Sequence, residues 1–230
     1  MPGGTSGSNM SARYGGGIDG AENAAITIKG GFITGNNATR GGGIYLAGGT
    51  LEVGATDATA ATISGNVAGS NGQGGGIYAV AGTTITISGG TISNNSAIAG
   101  AGIHTAGDIY MTNGTVSGNI VQYGAGGGIL AYGNVTIEGG TVGGQNSGNK
   151  AGTGAGIYFE GDGKKLKITG GDVTFNAANS MGGGITIDKG TLEINGKVNI
   201  SNNTAKNSGG GIATGLNNTV NLIAGTIAGN

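Results

Sequence analysis

A three-residue pattern of aliphatic, variable, aliphatic recurs along the whole chain: ITI at 26–28, LEV at 51–53, ITI at 85–87, IYM at 109–111, VTI at 135–137, LKI at 166–168, LEI at 192–194 and VNL at 220–222. Alternation with a period of two puts every second side chain on one face, so each run predicts a short strand with one apolar side. Two further apolar markers keep step with it. An isoleucine follows a glycine-rich corner of the type G-[GA]-[GA]-I at positions 18, 44, 77, 103, 129, 157, 185 and 212. An aliphatic residue precedes an amide by three positions at Ile33/Asn36, Ile63/Asn66, Ile92/Asn95, Val116/Asn119, Val142/Gln145, Val173/Asn176, Ile200/Asn203 and Ile227/Asn230.

The corner isoleucines are 26, 33, 26, 26, 28, 28 and 27 residues apart. A repeat of this length that carries three short period-two segments, and no stretch of helical period, cannot bury an apolar face alone and must stack on its neighbours. The expected fold is all-β: a right-handed parallel β-helix of about eight coils, with three strands per coil and one domain over residues 1–230. At about 4.8 Å per coil the rod is roughly 38 Å long. The amides at 36, 66, 95, 119, 145, 176, 203 and 230 occupy one corner of every coil, where each can donate to and accept from the next in a ladder.

Composition removes alternatives. The 58 glycines would suggest disordered chain if they were aperiodic, but they are tied to the corners. With ten Lys and Arg against eleven Asp and Glu, the formal net charge is -1, which predicts no attraction to nucleic acid or to an anionic membrane surface. No run approaches the 18 or so apolar residues of a membrane span, so no membrane insertion is expected, and "MPGGTSGSNM" lacks the basic and apolar segments of an export signal. The chain has no cysteine, and hence no disulfide or thiolate metal site.

The GGGI corners alternating with aliphatic-x-x-Asn elements resemble the GGA[ILV] and FxxN repeats of polymorphic outer membrane proteins, with Ile or Val where those usually have Phe. They also resemble the repeat arrays of adhesin-like surface proteins of bacteria and archaea, and the likeness covers essentially the full length. It implies an extracellular or cell-surface protein used for attachment or display, with no enzymatic activity and no cofactor. Its partners would be neighbouring repeats, further copies end to end, or glycans and proteins of another cell surface. "GGTSGSN" at 3–9 and "AGTIAGN" at the C-terminus match "GGTISNN" at 89–95, so the chain begins and ends at one phase of the repeat. That predicts a piece of a longer array, or ends that stack on neighbours.

Candidate chemistry is sparse. The carboxylates are scattered, and no acid pair or calcium-binding nonapeptide stands out, which argues against a polysaccharide lyase or glycosidase, the enzymatic alternative for a parallel β-helix. Glu193 faces Lys167 as a solvated pair. The single histidine, His104, falls in an outward slot of the first strand and is expected to be a surface residue; Tyr45 and Tyr78 hold the same slot, so their rings are candidates for contact with sugars or a protein. The third strand presents Thr62 and Ser64, Thr91 and Ser93, and Thr115 and Ser117 as outward ranks, a pattern that makes ice binding an alternative function, although Asp172 interrupts the ranks further on.

Overall fold

A computed structural model describes residues 12–55 and 59–230. The N-terminal match at 3–9 and Asp57 lie outside the described residues. The chain is all-β, and its named strands pair in parallel, each with its equivalent one repeat away. The three expected strands are present in every coil. In the coil that begins at Ile103 they are Ile103–Thr105 and the continuous Asp108–Ser117, which turns the corner between the second and third. In the coils of Ile157 and Ile185 all three run together, as Ile157–Thr174 and Ile185–Ser201.

The register is that of the sequence repeat. Ile44 pairs with Ile77, Ile77 with Ile103 and Ile103 with Ile129. Leu51 pairs with Ile85, Ile85 with Ile109 and Ile109 with Val135, while Ile63, Ile92, Val116 and Val142 form the third column. These residues are 0–1% exposed and belong to one continuous core. Burial of each aliphatic side chain contributes about 1.5–3 kcal/mol before entropy is counted.

A fourth strand follows each ladder asparagine from Asn36 to Asn203, only two residues long from Ser96–Ala97 onward, as in Ile120–Val121 and Ala177–Ala178, and these belong to a separate eight-stranded sheet. Two-residue strands carry too little alternation to be seen in sequence. The fourth sheet covers a small second core of Ala101, Val121, Ala151, Ala155 and Ala178.

Glycine is required where the coils approach most closely. A Cβ on Gly76 would lie 2.6 Å from the Gly102 carbonyl oxygen and 2.9 Å from Asn95 Nδ2. Gly100, two residues before its own corner's equivalent, has φ of 56°, which favours a residue without Cβ. In the last coil the interior-facing Val220, Leu222 and Ile227 are 40%, 54% and 42% exposed, whereas Leu192, Ile194 and Ile200 one coil earlier are fully buried. A solenoid interior is closed only by coils on both sides.

Candidate functional surfaces

The amide ladder is built from the corner after the third strand. Asn66 Nδ2 donates to Asn95 Oδ1 at 3.0 Å, and the Asn66 backbone N–H donates to the same oxygen at 3.0 Å. Its second Nδ2 proton goes to the Ile33 carbonyl at 2.9 Å, one coil behind. The same three bonds recur at Asn95, Asn119, Asn149, Asn176 and Asn203, and Asn36 and Asn230 are the outer rungs. The inner rungs are 0% exposed, so each amide satisfies backbone groups that water cannot reach.

One rung corrects the sequence expectation. Asn149, not Gln145, stands between Asn119 and Asn176, and Gln145 is exposed. Residues Gln145–Gly148 form an extra turn after Gly143 and Gly144, whose φ values of 110° and 127° carry the chain off the regular path and delay the corner. A signal for the true rung was available: each ladder asparagine from Asn36 to Asn203 is followed two positions on by a small apolar residue of the fourth strand, as in Asn95/Ala97, Asn119/Val121, Asn149/Ala151 and Asn176/Ala178.

On the outer face of the first strand, Asp19, Tyr45, Tyr78, His104, Leu130, Tyr158, Thr186 and Ala213 form the expected column. Its rings stack on one another. Centroids of Tyr14 and Tyr45 are 4.5 Å apart, Tyr45 and Tyr78 5.5 Å, and Tyr78 and His104 4.9 Å, while Tyr132 tilts against His104 at 5.7 Å. The faces of Tyr45 and Tyr78 are therefore spent on their neighbours, which leaves edges rather than faces for any sugar. Tyr14 and Tyr132 extend the stack from positions outside the periodic slot, so the pattern of the slot alone did not include them. The only two arginines of the chain also stand here, with guanidinium carbons 5.3 Å from the ring centroids of Tyr14 (Arg13) and Tyr78 (Arg40).

His104 is not the surface residue that its outward slot suggests. It is 5% exposed, and neither ring nitrogen has a hydrogen-bond partner. Tyr78 and Tyr132 cover its two sides, and the corner glycine Gly100 closes over its Cβ with no side chain of its own. Burial pushes its pKa down to about 4, and the positive charge of Arg40 acts in the same direction. The ring is thus a neutral aromatic spacer at neutral pH.

The Thr and Ser ranks are in register: Thr62, Thr91, Thr115 and Thr141 in one file, Ser64, Ser93 and Ser117 in the other. Asp172 follows Thr141 in the file and accepts a 3.0 Å hydrogen bond from Asn199 Nδ2, which ends the uniform hydroxyl surface. On the second-strand face Glu193 is held by Lys165 at 2.8 Å, closer than the expected Lys167 at 4.0 Å, and the Lys165 bond keeps its carboxyl below the usual range.

These features define a parallel β-solenoid repeat protein with a buried asparagine ladder. No family model, curated protein or solved structure matches the chain.

Proposed function

We propose that the chain is a non-catalytic, extracellular repeat domain of an adhesin-like surface protein, serving as a stiff stalk and attachment or display surface. The observation that supports this is the pairing of one continuous aliphatic core with one continuous amide ladder from Asn36 to Asn230. Every coil is bonded to the next both through its sheets and through buried side-chain amides. Bending or opening the rod would strip buried polar groups of partners, at about 1–3 kcal/mol each, so the arrangement favours stiffness over hinge motion. Its partners on this reading are neighbouring repeats along the rod axis and molecules of an opposing surface.

Two measurements test the reading together. A protease of broad specificity such as proteinase K, used under native conditions, should nick only exposed turns such as Gln145–Gly148 and leave the rod assembled, and antibodies against the domain should label intact source cells. Cleavage throughout the coils, or labelling only after permeabilisation, would count against it.

A further inference from the structure

The fourth-strand face carries a groove of about 800 Å³ that no sequence pattern announced. Its floor is set by Val67, Ser96 and Ile120, register partners in three successive coils, with Ile98 beside them. Val67, Ile98 and Ile120 are 39%, 46% and 48% exposed, although each could have been polar at no cost to the fold. Tyr123 rises at the edge, 85% exposed, with its hydroxyl oxygen accepting a 3.2 Å hydrogen bond from Gln122 Nε2. Unlike Tyr45 and Tyr78, it has no aromatic neighbour stacked on it among the described residues.

A second concavity of about 290 Å³ shares Tyr123 and Gly124 with the first and continues onto the first-strand face at Tyr158, Thr186 and Ala213. It is lined by Thr153, Thr214, Tyr158 and Asp188 together with the apolar Met181 and Ala213. Asp188 is hydrogen-bonded to Tyr158, whose hydroxyl burial and the nearby carboxylates push up to a pKa of about 12, so it keeps its proton at any ordinary pH. The two hollows follow one another along the rod from the coil of Val67 to that of Thr214, a path of roughly 30 Å at about 4.8 Å per coil.

We propose that this path, with Tyr123 at its centre, binds a linear uncharged polysaccharide. The charge pattern favours the class: among the described residues no Lys or Arg lines either hollow, Lys150 stands alone beside the path, and the single lining carboxylate is already engaged. An acidic polysaccharide, with a charge on every ring or every second ring, would find a single exposed cation along the path, Lys150, the register partner of Ile120. The lining is mainly apolar with a few hydroxyl and amide residues among it, which suits the C–H face of a sugar ring and some of its hydroxyls; an exposed aromatic ring supplies the platform. An extended peptide fits less well. It would normally bind by adding a strand to a free sheet edge, and here the backbone groups of the fourth strands are paired coil to coil.

The proposal deepens the attachment reading and rests on it. Affinity electrophoresis of the full chain through gels containing a β-glucan, a galactomannan or an α-mannan tests it, with polygalacturonate and an extended-peptide array as the competing classes. Retardation by at least one neutral polymer is expected, weakened about tenfold by Tyr123→Ala. Ile98→Thr, a second and milder change on the groove floor, should weaken it as well. Tyr110→Ala, which removes a half-exposed ring on the second-strand face, should leave it unchanged. Absence of retardation by all three neutral polymers, equal retardation of the Tyr123→Ala protein, or binding confined to polygalacturonate or peptide would overturn the proposal. A protease-resistant, surface-displayed rod that binds no neutral polymer would sink the groove alone and leave the stalk reading standing.

Discussion

Replacing Asn119 by alanine isolates what a buried rung contributes. Asn119 Oδ1 accepts from the Asn95 backbone N–H and from Asn95 Nδ2, both at 3.0 Å, and Asn119 Nδ2 donates to the Ile92 carbonyl at 3.0 Å. All of these groups are out of reach of water, since Asn95, Asn119 and Ile92 are 0% exposed. Alanine deprives three buried polar groups of a partner, and at about 1–3 kcal/mol for each the loss is about 3–9 kcal/mol. In a chain of this length that lowers the melting temperature by at least about 6 °C. Asn230→Ala is the matched comparison. Asn230 makes the same bonds, accepting from the Asn203 backbone N–H and Nδ2 and donating to the Ile200 carbonyl, but it is itself exposed, so its removal opens those otherwise buried groups to water and the loss is about 1 kcal/mol. Because a solenoid can fray coil by coil, the assay is urea denaturation combined with hydrogen exchange at the corner amides. The Asn119 variant should lose amide protection on both sides of its coil. Equal destabilisation by the two substitutions would refute the argument from burial.

Other outcomes follow from the same structure. His104 has a folded pKa of about 4 against an ordinary 6.5, so the unfolded chain binds more protons between those values; stability should be full above pH 6.5 and fall by about 3 kcal/mol as pH drops through 4. Tyr78, Tyr132 and Arg40 are the titratable groups facing it. His104→Leu, which copies the buried Leu130 of the next coil, should flatten that acid limb; an unchanged pH profile would clear His104 of the role. Gly76→Ala forces a Cβ against the Gly102 carbonyl and the Asn95 amide and should cost more than about 3 kcal/mol, while Gly69→Ala, whose Cβ would meet nothing nearer than 3.9 Å, should stay within about 0.5 kcal/mol, as read by urea midpoints. The double variant Tyr45→Ala, Tyr78→Ala should lose about 1–3 kcal/mol from the aromatic stack and retain whatever polysaccharide binding the wild type shows; loss of binding without loss of fold would return the ligand surface to that column.

The sequence by itself determined the solenoid. Three apolar columns, a glycine corner and an amide corner recur at nearly constant spacing, and each residue type has one physical use in a stacked coil: β-branched Ile85, Ile109 and Val135 inside, Gly76 where backbones nearly touch, Asn95 where carbonyls would otherwise be orphaned. Periodicity reports such positions because the same neighbour environment repeats in every coil. It fails where a coil departs from the average. The delayed corner that makes Asn149 the rung in place of Gln145, and the burial of His104 in an outward slot, depend on chain that the neighbouring coils supply only once. Whether an outward aromatic offers its face or hides it was likewise decided in three dimensions. Tyr45 and Tyr78 share a register and spend their faces on each other, while Tyr123, which no repeat position marks, stands free between two hollows. The repeat dictates what must be the same from coil to coil, and the proposed binding surface lies in what differs.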